Sequence, residues 1–224
     1  CGQSHFAKDL VDSDFIDNLN AITGKAEPYY YRTDDRKAPH NLYTSSKLIK
    51  QSIKDYGYRA KHGKDYEAHY QFAKDGEKTE LADGVPAEKV EVYFPVNKPW
   101  FEYNESDGLY YRFQYENKQV DGLTDAQLAV ANIIIQDCDV YVWEESTEYM
   151  YVDVMAGGTG KFITGGKCID ITWKKESETA PTRYYDADGK EITLNQGKTW
   201  IEIVDEDHRD RHVISGKGSG AGQE

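Results

Sequence analysis

The chain has 224 residues, and 27 Lys and Arg against 40 Asp and Glu give a formal net charge of −13 at pH 7. Such an acidic surface repels DNA, RNA and anionic lipid headgroups, so we expect no nucleic-acid partner. The longest apolar run, residues 129–135, is interrupted by Asn132 and falls short of the roughly 18 residues of a transmembrane helix.

The N-terminal third carries the helical patterns. Residues 4–20 predict two short amphipathic helices. Residues 44–56 predict the best helix of the chain, because Thr44 or Ser45 can cap its first turn and Gly57 can take the left-handed position after its end. The turn signal at residues 82–86 is the expected boundary between two domains.

From residue 88 onward the apolar residues repeat with period two, which is typical of strands. Residues 100–103 and 109–115 predict a hairpin, and the nearly continuous apolar run 129–135 predicts a strand covered on both faces. Residues 168–174 alternate again, and residues 206–224 are expected to be a flexible tail.

The aromatic residues are mostly tyrosine, with 18 Tyr and four Trp against seven Phe. Tyrosine suits strand faces that lie near water, and packing on such faces is its commoner use. A platform for binding sugars is the more specific interpretation.

Three short motifs fit a cofactor or metal site only in part. Residues 157–161 are similar to a phosphate loop, but Met155 occupies the first glycine position and Phe162 replaces the Ser or Thr. What remains is a glycine-rich strand connection with a lysine, which can hold an anion. Residues 186–189 are half of a calcium loop and predict a hairpin instead, and residues 207–212 fit a solvated tail better than a metal site. We therefore expect no metal and no cofactor.

Two groups of polar residues are candidates for ligand binding. The first lies in one loop, where Arg side chains can bind carboxylate or phosphate. The second combines polar residues within or beside strands, where a buried Asn must find partners and is either a structural clamp or part of a site. A loop pinned by ion pairs is the alternative for the first group. The candidates are Arg32, Arg36, His40 and Asn41 in the first group, and Arg112, Asp121 and Asn132 in the second.

Cysteine usage gives no disulfide framework, since the chain has only Cys1, Cys138 and Cys168. The sequence does not decide whether Cys138 and Cys168 form a disulfide bond. The first four residues, Cys-Gly-Gln-Ser, are similar to the start of a mature bacterial lipoprotein. The alternative is that the sequence merely begins at this cysteine.

Several longer strings resemble the YerB-like lipoproteins of Gram-positive bacteria. They are residues 36–43, RKAPHNLY; residues 111–115, YRFQY, with VDG at 120–122; residues 128–134, LAVANII; and residues 160–166, GKFITGG, continuing to WIEIV at 200–204. The resemblance implies a lipid-anchored protein outside the cytoplasmic membrane, with no known activity and no catalytic residue to transfer. In the family a segment similar to residues 1–6 lies inside the N-terminal domain, so we expect Cys1 to be an interior residue and the lipid anchor to lie outside this chain.

These observations predict an α+β protein. An N-terminal α/β piece is expected at residues 1–85, a β-rich antiparallel domain at 86–205 and a tail at 206–224. We expect a binding or scaffolding lipoprotein of the cell envelope, whose partner is a cell-wall glycan, peptidoglycan or an envelope protein. The alternative is an envelope hydrolase or transferase that uses a carboxylate pair near the Arg32–Asn41 loop, which would have a raised carboxyl pKa. A third possibility is a structural partner of another membrane protein.

Overall fold

The computed structural model describes residues 17–21, 26–64, 66–144 and 149–216. The chain folds as two compact units, Cys1–Glu67 and Ala68–Glu224. The two helices predicted within residues 4–20 lie outside the described residues, apart from 17–20, which have no regular structure. None of the helices in the described ranges is long and apolar enough to cross a membrane.

The first unit contains the helix that the sequence predicted. The Oγ of Ser45 accepts a hydrogen bond from the backbone N–H of Leu48 at 3.3 Å, which satisfies one free donor of the first turn. Gly57 ends the helix in the left-handed conformation with φ 67°. The elements of this unit are a 3₁₀ helix at Glu27–Tyr29, β1 Tyr31–Arg32, β2 Leu42–Tyr43 and α1 Ser46–Tyr56.

The predicted fold class, α+β with an N-terminal α/β piece, is wrong. Strand dominates the part of the chain that the structure describes, and α1 is its one α-helix. The first unit lacks an α/β layer there because β1 and β2 have two residues each and pair only with one another. The expectation of antiparallel pairing also needs correction, since the second unit includes parallel pairs.

The second unit is built from strands, which turn signals separate along the chain. Val85 and Pro86, at the expected domain boundary, form a strand inside this unit. Its elements are β3 Gln71–Phe72, β4 Val85–Pro86, β5 Lys89–Glu91, β6 Trp100–Asn104, β7 Leu109–Gln114, β8 Asn117–Lys118, β9 Ala129–Val130, β10 Asn132–Cys138, β11 Val140–Glu144, β12 Tyr149–Val152, β13 Gly158–Thr164, β14 Lys167–Lys175, β15 Thr182–Tyr185, β16 Thr193–Leu194, β17 Thr199–Asp205, a 3₁₀ helix at Glu206–Arg211 and β18 Val213–Ser215.

Two six-stranded sheets organise this unit. The central sheet has the order β15-β14-β13-β10-β17, and β4 pairs with the far end of β14. The outer sheet has the order β18-β5-β6-β7-β8, and β9 pairs with β7. The predicted hairpin of β6 and β7 is confirmed, with Trp100 opposite Phe113 and Asn104 opposite Leu109. Strands β11 and β12 form a separate two-stranded hairpin.

Strand β10 is the centre of the fold, and all seven of its residues are buried. Ile133 and Ile135 belong to a core cluster that includes Val90 and Phe101 of the outer sheet. Ile134, whose side chain points to the other face, belongs to a second cluster with Trp173. The prediction of a strand covered on both faces is therefore confirmed for β10, whereas Ala129 and Val130 of the same apolar run form the separate strand β9.

Two of the glycines that suggested a phosphate loop, Gly158 and Gly160, are strand residues that allow close packing. A Cβ at Gly160 would lie 2.2 Å from the carbonyl oxygen of Ile135. A Cβ at Gly158 would lie 2.8 Å from the indole nitrogen of Trp173, which donates to the carbonyl of Asp137 at 2.9 Å. Residues 157–161 therefore hold β13 tightly against its neighbours.

Candidate functional site

The first predicted group lies in the first unit, where two of its four members meet. Arg32 Nη1 donates to Asn41 Oδ1 at 2.7 Å, and Asn41 Nδ2 donates to the carbonyl of Thr33 at 2.8 Å. Arg36 Nε lies 3.6 Å from a carboxylate oxygen of its neighbour Asp35, and His40 is exposed. These contacts are those of a loop that is pinned to itself, and a ligand role for the four residues stays a prediction.

The second predicted group lies in the second unit, and its members have separate partners. Asp121 is exposed and organises a turn, because its Oδ1 accepts from the backbone N–H groups of Leu123 and Thr124. The hydroxyl of Thr124 also donates to this oxygen and is the main cause of the lowered pKa of Asp121. A ligand role for Asp121 stays a prediction.

Arg112 is buried between the two sheets beside a carboxylate. Its Nη2 lies 3.6 Å from Oε1 of Glu202, and the two residues are 5% and 8% exposed. Its guanidinium carbon lies 4.3 Å from the centre of the Trp200 ring. Burial raises the pKa of Glu202 and lowers that of Arg112, so desolvation outweighs the attraction between the two charges.

Asn132 is fully buried, and hydrogen bonds to other parts of the central sheet occupy its amide. Its Nδ2 donates to the carbonyl of Asn195 at 2.8 Å and to Thr199 Oγ1 at 3.2 Å. Its Oδ1 accepts from the backbone N–H of Asn195 at 2.9 Å. The side chain thus ties the segment before β17 to β10, as a structural clamp does.

Replacing Asn132 by Leu is expected to lower the free energy of unfolding by about 2–4 kcal/mol, because it deprives the part-buried backbone N–H and carbonyl of Asn195 of their hydrogen bonds to the Asn132 amide. Urea denaturation measures this loss. Lys118→Leu, at an exposed position in β8, is the control and should change stability by less than about 0.5 kcal/mol. A stable Asn132→Leu protein would contradict the clamp.

A groove of about 600 Å³ opens where the β5–β6 connection meets the β7–β8 turn. Its volume lies in the range of about 300–1,000 Å³ that is common for small-ligand sites. We call it the aromatic groove because aromatic rings and apolar side chains form much of its wall, with charged and amide groups among them. Its lining is Lys89, Glu91, Val92, Tyr93, Phe94, Val96, Asn97, Lys98, Pro99, Trp100, Tyr115, Glu116 and Arg211.

Two rings of the groove are held in place by neighbouring side chains. Trp100 stacks on Phe113 of the neighbouring strand, with ring centres 4.8 Å apart and planes 7° from parallel. Its indole nitrogen donates to Glu102 at 3.0 Å. Tyr115 is 59% exposed, and its hydroxyl donates to Oδ1 of Asn97 at 2.9 Å. Both rings are therefore fixed before a ligand arrives.

The rim of the groove contains three residues with an unfavourable backbone conformation. Lys98, Tyr115 and Glu116 have φ values of 42°, 51° and 61°, although none of them is glycine. Tyr115 and Glu116 form the two-residue turn between β7 and β8, a position where Asn-Gly is the usual pair. Such strain costs about 1–3 kcal/mol per residue and is concentrated at functional sites.

Cationic groups complete the groove. The guanidinium of Arg211 lies 3.6 Å from the centre of the Tyr93 ring, and Lys89 Nζ lies 2.5 Å from Glu91 Oε1 and 6.0 Å from the centre of the Trp100 ring. The groove therefore offers aromatic faces beside donors and acceptors of both charges. Sequence reasoning missed it. The abundance of tyrosine and tryptophan was the available signal, but register and turn conformation decide which rings line a groove.

Among the carboxyl groups that the structure describes, burial raises the pKa of Asp137 and of Glu202. Both belong to the second unit, whereas the enzyme alternative needs such a group beside the Arg32–Asn41 loop. Hydrolase or transferase activity at that loop stays a prediction.

Comparison with known proteins identifies the family. Residues 90–201 match "Protein of unknown function (DUF3048) C-terminal domain", and residues 1–59 match the corresponding N-terminal domain. The chain is 26% identical over 211 residues to "Putative lipoprotein YerB" of Bacillus subtilis, which covers 91% of this chain and 59% of that protein. The crystal structure of YerB from Bacillus subtilis matches with a TM-score of 0.77 at 26% identity, over 95% of this chain and 68% of that one.

The chain thus spans less than two thirds of the length of this curated relative. The resemblance to YerB-like proteins that residues 36–43 and 111–204 suggested is confirmed. This chain belongs to the DUF3048 family of proteins of unknown function.

Proposed function

We propose that this chain is part of an extracytoplasmic lipoprotein that binds a glycan of the cell envelope in the aromatic groove. The name of the Bacillus subtilis relative, a lipoprotein, supports the compartment. A protein anchored outside the membrane meets cell-wall polysaccharide at high local concentration. The proposed ligand is therefore a neutral or weakly charged sugar chain such as the glycan strand of peptidoglycan.

The observation that carries the proposal is the exposed ring of Tyr115, which a hydrogen bond to Asn97 orients in the groove that Trp100 also lines. Sugar rings have apolar C–H faces, which pack on aromatic rings, and hydroxyl edges, which need donors and acceptors. Asn97 holds the Tyr115 ring through a hydrogen bond, so binding costs little side-chain entropy. Glu91 and Arg211 also line the groove and supply an acceptor and a donor for sugar hydroxyls.

The strained turn supports the same assignment. A tyrosine with φ 51° is less stable than asparagine or glycine would be at this position. This loss of stability is explained if ligand binding requires the Tyr115 ring in the position that the left-handed backbone gives it.

Replacing Tyr115 by Asn separates binding from folding. The substitution removes the ring while relieving the left-handed backbone, so we expect the free energy of unfolding to stay equal or to rise by about 0.5–1 kcal/mol. Retention on purified peptidoglycan and affinity for soluble N-acetylglucosamine oligosaccharides should fall about tenfold or more, as for a hot-spot aromatic residue.

Tyr31→Asn provides the matched control, because it removes a similarly exposed tyrosine from the first unit. It should leave glycan retention unchanged. Equal retention of the wild type and the Tyr115→Asn protein would overturn the assignment of the groove, and absence of retention for the wild type would overturn glycan binding itself.

A further inference from the structure

A second depression, the polar cleft, lies elsewhere on the second unit and has a volume of about 480 Å³. Strands β13 and β14 form one wall, and the 3₁₀ helix at Glu206–Arg211 with His212 forms another. None of the residues that line it belongs to the lining of the aromatic groove. The cleft brings together parts of all three motifs that each fitted a site only in part, at residues 157–161, 186–189 and 207–212.

Strand register places the polar groups on its floor. Lys161 of β13 lies opposite Asp170 of β14, and their side chains form an ion pair. Thr159 lies opposite Thr172 in the next row, and its hydroxyl donates to Oδ2 of Asp137 at 2.9 Å. Asp137 is 6% exposed, and burial raises its pKa. No hydrogen bond joins its Oδ1 to another of the described residues, so this oxygen can accept from a ligand that brings a positive charge or a donor.

His212 contributes a donor that has no acceptor. Its Nδ1 accepts a hydrogen bond from the backbone N–H of Tyr93 at 2.9 Å, so the hydrogen of the neutral ring sits on Nε2. Burial lowers the pKa of His212 and favours this neutral form. Its Nε2 is buried and has no hydrogen-bond partner within the described part of the chain. A buried donor that lacks an acceptor is costly, and a ligand oxygen in the cleft would satisfy it.

The charges of the cleft have both signs. Asp137, Asp170, Asp186 and Asp210 face Lys161 and Arg209, and Lys161 is already paired with Asp170. Asp186 uses Oδ1 to accept the backbone N–H groups of its own turn. No set of three or more His, Cys, Asp or Glu side chains among the described residues is arranged to hold a metal ion. An organic ligand with separated charges fits this pattern better than an inorganic cation.

We propose that the polar cleft binds a zwitterion of the amino-acid class, such as a free amino acid or the ends of a short peptide. The ammonium group lies against Asp137, and the carboxylate accepts from Nε2 of His212 and from the guanidinium of Arg209. This assignment is independent of glycan binding, because the two sites share no residue.

Three dipeptides that differ only in their end groups test the proposal by isothermal titration calorimetry. Ala-Ala carries both charges, N-acetyl-Ala-Ala lacks the ammonium group and Ala-Ala-amide lacks the carboxylate. We expect Ala-Ala to bind in the millimolar range or tighter and each blocked form to bind at least about tenfold more weakly. The Tyr115→Asn variant should bind Ala-Ala as the wild type does.

Two variants test which side chain of the cleft recognises each charged end of the dipeptide. Arg209 is exposed, and its hydrogen bond and ion pair join it to Glu206 of its own 3₁₀ helix, so Arg209→Gln should fold normally. It should weaken Ala-Ala about tenfold while leaving Ala-Ala-amide unchanged. Asp137→Asn should weaken Ala-Ala and spare the acetylated form. Lys118→Gln, in exposed β8, is the control with the same loss of charge and should change nothing.

Absence of Ala-Ala binding at millimolar concentration would overturn the proposal. Equal affinity for Ala-Ala and its amide would also overturn it, because the cleft would then recognise a cation alone. Equal affinity for Ala-Ala and its acetylated form would show that the cleft recognises the carboxylate alone, and this result would also overturn the proposal.

Discussion

Replacing Arg112 by Met is expected to lower the free energy of unfolding by about 3–5 kcal/mol at pH 7, because it leaves the carboxylate of Glu202 buried without a cation. Met is unbranched and close to Arg in volume, and its thioether packs well on the rings of Phe101 and Trp200, so the loss reflects charge more than volume. Denaturation in guanidinium chloride measures it.

The double variant Arg112→Met/Glu202→Leu is the control for this loss. It removes both charges, and its stability should return to that of the wild type or exceed it by about 1–4 kcal/mol. Such recovery is expected because burial already shifts both pKa values toward the neutral forms in the wild type.

The loss in Arg112→Met should also depend on pH. The folded-state pKa of Glu202 lies above its ordinary value, so the folded protein takes up a proton more readily than the unfolded chain. That contribution to stability is present at acid pH and is lost as the pH rises through the raised pKa. Removing Arg112 raises this pKa further, so the difference from the wild type should shrink as the pH falls. A loss that is independent of pH, or a double variant as unstable as the single one, would contradict the buried ion pair.

Replacing Gly160 by Ala is expected to cost about 3 kcal/mol or more, although the change adds a single methyl group. The new Cβ would lie 2.2 Å from the carbonyl oxygen of Ile135, a backbone atom of the neighbouring strand, so β13 and β10 would have to separate. Thermal unfolding followed by circular dichroism should show a large decrease in the midpoint temperature.

Gly122→Ala is the matched control for this substitution. No atom lies within 4 Å of the position that its Cβ would occupy, and its φ lies outside the left-handed range. It should change stability by less than about 0.5 kcal/mol. Equal stability of the two Ala variants would show that the close approach of the strands is not required.

The sequence predicts those elements of the fold that local chemistry determines. The helix at residues 46–56 has its capping serine at Ser45 and its terminal glycine at Gly57, and both act as predicted. The hairpin of β6 and β7 and the double coverage of β10 follow from turn residues and apolar pattern. The predicted fold class is wrong because the amphipathic stretches near the N-terminus do not make the protein α+β. The long series of strands dominates the described part of the chain.

The sites depend on contacts between distant residues, which a single sequence does not reveal. Asp137 and Thr159 are 22 positions apart, and Tyr93 and His212 are 119 apart, yet each pair is joined by a hydrogen bond. The predicted ligand residues Arg32, Asn41 and Asn132 were singled out for their polarity, and the structure shows hydrogen bonds within the fold that use their polar groups. A polar residue in an otherwise apolar strand thus indicates that its side chain needs a hydrogen-bond partner. The register of the strands determines whether that partner belongs to the fold or to a ligand.

Chemical-shift mapping tests most directly whether the aromatic groove binds an envelope glycan. Isotope-labelled protein would be titrated with soluble N-acetylglucosamine oligosaccharide while the backbone and indole N–H signals are followed. We predict saturable shifts at the Trp100 indole, at Tyr115 and at Asn97, with Tyr31 of the first unit unaffected. Saturable shifts confined to other residues, or none at all, would contradict the proposed function.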